Sequence, residues 1–188
     1  MVLEKTSEQA ISLITECLLN NGVVIMPCDT IYGIVCTEGE AEEKIRNLKG
    51  RDENKPFIRL VKNSAAAALI SSDKIESRIL SLWPGPLTLI VRDKKSGTAA
   101  LRVPQDGFLL KILSAADRPL ISTSVNTSSM PAMNNINEII SAFINKVDII
   151  VDGGSLDNNI PSTILDITVK PYKIIRQGRC AVPAEYLT

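Results

Sequence analysis

Apolar positions along this chain recur with two different periods. Ile11, Ile14 and Leu18 fall on one helical face, and Gly22 is placed to stop a helix. Thr6 and Gln9 have the spacing of a capping box before that face. Residues 23–26 form a short unbroken apolar run, which predicts a buried strand. Further helices are predicted over 40–49 (stopped by Gly50), 64–70, 74–83, 108–116 and 137–145. Strands are predicted over 57–61, 87–92, 100–103, 120–125 and 147–152, with a closing hairpin over 163–169 and 172–176. Helices and strands alternate, so the expected fold is α/β, a single-domain twisted mixed sheet flanked by helices. No repeat, low-complexity tract or linker-like shift divides residues 1–188. In such sheets ligands sit beyond strand ends, where loops converge.

Composition narrows the chemistry. The 188 residues carry 21 Lys plus Arg and 21 Asp plus Glu. A balanced chain is no general polyanion binder, because that affinity comes from many cationic contacts; a local basic patch remains open. The chain contains 0 histidines. That excludes an imidazole base, Ser-His-Asp and Cys-His nucleophiles, and every His-containing metal site. Cys17, Cys28, Cys36 and Cys180 form no C-x-x-C pair, so no metal ligand set is expected and free thiols in a reducing compartment are. MVLEKTSEQA lacks a secretory apolar core, and no apolar run reaches the ~18 residues of a membrane helix, so a cytoplasmic protein with no membrane partner is expected.

The strand over 23–26 runs into MPCDTIYG, which places Asp29, Thr30 and Tyr32 close together. A turn needs less than this. Other segments are similarly over-equipped. LKGRDENKP carries Lys49, Arg51 and Lys55, TAALRVP sets Arg102 in an apolar strand, and STSVN supplies Ser122, Ser124 and Asn126. WPGPLT, PSTILD and IIRQG add a rigid turn, Ser162 and Arg176. Each has a bland reading. Lys49 complements a helix C-terminus, Ser-Thr-Ser caps local backbone, Cys28 is packing, and the two arginines form structural ion pairs. Taken together, cations beside hydroxyl-rich loops suit phosphate and carboxylate binding. No P-loop or Rossmann fingerprint is present.

These segments, in this order, resemble the YrdC-like family of threonylcarbamoyl-adenylate synthases. PCDTIYG resembles its P-T-[DE]-T-x-Y-G, KGRDENKPF its K-x-R segment, and WPGPLT matches outright. LRVP, STSVN, DGG, PSTILD and R-Q-G complete a match from about Gly22 to Gly178. The resemblance implies a twisted sheet with a concave basic cleft. It implies an enzyme, a nucleotidyltransferase, joining L-threonine, bicarbonate and ATP, with Mg²⁺ as cofactor, into threonylcarbamoyl-AMP and pyrophosphate. A tRNA-modifying transferase would use the product downstream. Carried onto this chain, Lys49, Arg51, Ser124 and Asn126 form the catalytic set. Thr30, Tyr32, Arg102, Ser124 and Ser162 hold threonine, and Arg51, Lys55, Thr98, Ser122 and Arg176 hold ATP. Cys28 stands where the family has threonine and Val125 where it has alanine; TSSMPA departs from S-G-x-P. The competing readings are an RNA-binding module with weak RNA affinity and a diverged paralogue without synthase activity. The longer hydrogenase-maturation carbamoyltransferases need domains for which there is no room.

Overall fold

A computed structural model describes residues 1–50, 56–127, 130–156 and 159–188. One ten-stranded mixed sheet runs through them. Its strands are β1 (Val2–Glu4), β2 (Val24–Pro27), β3 (Tyr32–Cys36), β4 (Ile58–Leu60), β5 (Leu87–Arg92), β6 (Thr98–Arg102), β7 (Leu120–Ser124), β8 (Ile149–Asp152), β9 (Thr163–Asp166) and β10 (Lys173–Arg176). The spatial order is β1-β8-β2-β3-β7-β4-β6-β5-β9-β10. The helices are α1 (Ala10–Leu19), α2 (Glu40–Lys49), α3 (Ser64–Ile70), α4 (Ser77–Leu80), α5 (Gly107–Ala116) and α6 (Ile136–Phe143). None of the described helices is long and apolar enough to cross a membrane.

The continuous apolar run of β2 is explained by burial on both faces. Val24 and Met26 pack with α1 and α5, through Ile14, Leu18, Leu109 and Leu113. Ile25, which points to the opposite face, packs with Ile45 of α2 and Ile139 of α6. Helices α3 and α4 cover the other end of the sheet, packing Ala67 and Ile79 against Leu89, Leu101 and Leu165. Local chemistry fixes the helix ends. Asn63, Asp106 and Asn135 cap α3, α5 and α6 by accepting backbone N–H bonds. Gly50, at φ 59°, ends α2 in the left-handed region.

Several expectations are corrected. The Thr6/Gln9 capping box does not form: α1 begins at Ala10, no side chain caps it, and its entry is closed by backbone bonds from Ser7 to Glu4 and from Ala10 to Ser7. The helix expected over 74–83 shrinks to α4. Trp83 precedes a proline, which disfavours helical backbone there, and Ser71 and Asp73 fix a turn before it. Two strands escaped sequence reading. β1 is three residues pairing in parallel with β8. β3 is antiparallel to β2, so the polar stretch is the tip of a hairpin and not the end of one strand.

Candidate active site

A cavity of about 250 Å³ opens on the sheet face. Its floor is a row of register partners running across four strands, Ser122, Ile58, Ala100 and Ile90. Ser124 and Arg102 each stand two residues along from members of that row and therefore share its face. The hairpin tip with Cys28 and Thr30 closes one end, and Pro161, Ser162, Ile175 and Arg176 close the other. The site thus uses the sheet face as well as loops, rather than lying only beyond strand ends. A bulge explains why the consecutive Ile175 and Arg176 both line it. Ile174 pairs with Leu165 and Arg176 with Ile164, leaving Ile175 as the extra residue.

Arg102 is 3% exposed. Its Nη1 donates to Thr30 Oγ1 at 2.9 Å and its Nη2 to the Cys28 carbonyl at 2.9 Å. Nη2 also lies 3.1 Å from Asp29 Oδ1. Asp29 adopts φ 58°, which aspartate tolerates better than most residues, and its Oδ2 accepts from the Gln105 N–H. Burial pushes the Asp29 carboxyl above its ordinary value, and the Arg102 charge pulls against it. Arg102 Nε is buried with no hydrogen-bond partner among the described residues. A donor in that state is costly unless a ligand completes it. At the rim, Arg176 donates from Nε and Nη2 to the Ser162 carbonyl at 3.2 and 2.8 Å. Desolvation, and then the like charge of Arg102, lower its pKa. Two guanidiniums that repel each other line one cavity, and its described lining contains no carboxylate. An anion would relieve both.

Around these charges the lining is pinned. Tyr32 is fully buried; its hydroxyl donates to the Gly154 carbonyl at 2.8 Å and accepts from the Gly153 N–H at 3.0 Å. At Gly33 a Cβ would meet Cys28 Sγ at 2.7 Å and Ser122 Oγ at 2.9 Å, so any larger residue forces those side chains to shift. The Cys28 thiol is pushed up to about 12 by burial, so it stays protonated and serves packing.

The structure brings Thr30, Tyr32, Thr98, Arg102, Ser122, Ser124, Ser162 and Arg176 together in this cavity. Lys49 and Asn126 stand behind it. The Lys49 ammonium, 2% exposed, donates to the carbonyls of Ser124 at 2.6 Å and Asn126 at 2.9 Å, and to Asn126 Oδ1. Ser124 Oγ donates to the same Oδ1 at 2.9 Å. Lys49 therefore holds the Ser124–Asn126 loop in place. Arg51 and Lys55 lie outside the described residues. Sequence reading left Asp29 out of the site; a left-handed aspartate at a hairpin tip has no local signature that tells a turn-former from an ion-pair partner. Thr88 was also passed over, since it reads as an ordinary strand threonine.

The sequence model of the Sua5/YciO/YrdC family, described as "Telomere recombination", matches residues 16–178. This chain belongs to that family. It is similar to a threonylcarbamoyl-AMP synthase of Pyrococcus abyssi, 26% identical over 94% of this chain and 56% of that protein. It is also similar to a putative threonylcarbamoyl-AMP synthase of Methanocaldococcus jannaschii, 31% identical over 93% of this chain and 88% of the relative. The fold superposes on P. abyssi Sua5, solved in complex with L-threonine, with a TM-score of 0.87. That match is 24% identical and covers 95% of this chain and 57% of the other. This Sua5/YciO/YrdC chain thus spans little more than half the length of the P. abyssi protein.

No group of three or more metal-ligating side chains occurs among the described residues. The cavity lining offers hydroxyls and guanidiniums, which do not fit a resident Mg²⁺.

Proposed function

We propose that this protein condenses L-threonine, bicarbonate and ATP into threonylcarbamoyl-AMP, releasing pyrophosphate, as a nucleotidyltransferase that feeds a tRNA-modifying transferase. The observation that carries the reading is the convergence of Arg102 and Arg176 on one hydroxyl-lined cavity without a lining carboxylate. The threonine complex of the P. abyssi protein and the names of the relatives support the substrate assignment.

Arg102 takes the threonine carboxylate, with Thr30 beside it and Ser162 opposite. Tyr32 walls this end, and Ser124 lies between the amino acid and the nucleotide. Arg176, Thr98 and Ser122 take ATP together with Arg51 and Lys55. The neutral threonine amine adds to bicarbonate to give a carbamate with loss of water. A carbamate oxygen then bonds to the α-phosphorus as the bond from that phosphorus to the pyrophosphate oxygen breaks. No imidazole is required. The work is positioning and charge stabilisation, which a chain without histidine can supply. Lys49 and Asn126 act by fixing the backbone that carries Ser124. Zero net charge and cations gathered into a cavity favour this reading over an RNA-binding module. Pyrophosphate release from ATP that needs both threonine and bicarbonate would support it; release indifferent to threonine would overturn it.

A further inference from the structure

Behind Ser162 lies a hydroxyl that no part of this mechanism uses. Thr88 Oγ1 and Ser162 Oγ are 2.9 Å apart, and either could donate. Thr88 is fully buried and does not line the cavity; Ser162 does. Two facts set the direction of the proton. Arg176 Nη2 lies 3.3 Å from Ser162 Oγ, and a guanidinium only donates, so Ser162 accepts there. Thr88 Oγ1 makes no other hydrogen bond among the described residues. If Ser162 donated to it, the Thr88 proton would be buried with no acceptor among the described residues, which is costly. Thr88 therefore donates to Ser162.

A serine hydroxyl has two lone pairs and one proton. In this arrangement Arg176 and Thr88 fill both lone pairs. The only capacity left to Ser162 is to donate, and the open side is the cavity. We propose that Thr88 is a specificity-determining positioning residue: it obliges Ser162 to be a hydrogen-bond donor, so that this end of the cavity accepts an oxyanion or carbonyl and turns away an ammonium or amide N–H. The inference rests on the assignment of L-threonine to the space between Arg102 and Ser162, with Ser162 as one of its contacts. It accounts for a buried threonine in WPGPLT, a segment otherwise readable as a rigid turn.

The test is calorimetric titration of L-threonine, and separately of ATP, into wild type, Thr88→Val, Thr88→Ser, Ser162→Ala and the double variant Thr88→Val/Ser162→Ala. Valine keeps the shape and removes the donor. Without the Thr88 donor one Ser162 lone pair is bare and its hydroxyl is free to turn away from the ligand; loss of that one neutral hydrogen bond should weaken threonine by about fivefold, with ATP changed by no more than about twofold. Thr88→Ser, which keeps the hydroxyl, should stay within about threefold of wild type. In the Ser162→Ala background Thr88→Val should add almost nothing, because the two residues act as one unit. Should Thr88→Val fail to fold, Thr88→Ala removes the same hydroxyl and takes its place. Unchanged threonine affinity in a folded Thr88 variant would overturn the inference, as would losses that multiply in the double variant or fall equally on ATP. Wild type that binds no threonine would overturn the functional assignment with it; threonine binding indifferent to Thr88 overturns this inference alone.

Discussion

Replacing Lys49 by methionine removes one ammonium and keeps most of the buried stem. The described bonds show what is lost: donation to the Ser124 carbonyl, the Asn126 carbonyl and Asn126 Oδ1. Oδ1 retains the Ser124 hydroxyl, while the two carbonyls lose their ammonium donor beside a Lys49 side chain that is 2% exposed. Each acceptor deprived of that donor costs about 1–3 kcal/mol, giving roughly 2–6 kcal/mol for the pair. A domain of this size is stable by about 5–15 kcal/mol, so the variant should fold but melt early. At about 2–4 °C per kcal/mol, the midpoint should fall by about 4 °C at least. Scanning calorimetry of both proteins at one concentration reads this directly. Threonine-dependent product formation should fall further than stability does, because the loop that loses its anchor carries Ser124 into the cavity. A midpoint within about 1 °C of wild type would refute the idea that Lys49 holds the loop.

Three further outcomes are expected. Arg176→Gln should weaken ATP by about tenfold or more in calorimetry while threonine changes less, since the lost group is the rim cation; equal losses would contradict the division of the cavity. Gly33→Ala should lower the melting midpoint by an overpacking cost of about 1–3 kcal/mol, and adding Cys28→Ala should restore part of it by removing the sulfur that the new Cβ meets. The thiols of Cys28 and Cys36 are held up at about 12 by burial, against 9.0 when unfolded. The unfolded chain therefore ionises first, and stability present below pH 9 should drain away between about pH 9 and 12. Each thiol contributes up to about 1.4 kcal/mol per pH unit. Urea melts of wild type and of Cys28→Ala/Cys36→Ala should show a shallower alkaline decline in the variant.

Much of the architecture was legible because burial writes itself into sequence. The strand at 87–92 was read to the residue, and the helix of Ile112 and Leu113 to within one position, because both carry strong periodic apolar signals. β3 was not legible. Gly33 interrupts it and weakens any strand signal, yet the position is crowded by Cys28 at the tip of its own hairpin and by Ser122 of β7. β1 is too short to have a period, and only its pairing with β8 makes it a strand. In the cavity, the arginines stood out because a cation in an apolar strand demands a partner. The partner of Arg102, Asp29, was visible only once the hairpin had folded. The direction of the Thr88–Ser162 hydrogen bond depends on what else surrounds both hydroxyls, and no linear pattern encodes it.

The most direct test of the account is to supply the protein with ATP, Mg²⁺, L-threonine and ¹³C-bicarbonate and follow the nucleotide products by mass spectrometry. The expected result is threonylcarbamoyl-AMP carrying one ¹³C in its carbamoyl carbon, formed only when threonine is present. ATP turnover without label in a threonine-containing nucleotide, or no turnover by a protein that still binds ATP, would contradict the synthase reading.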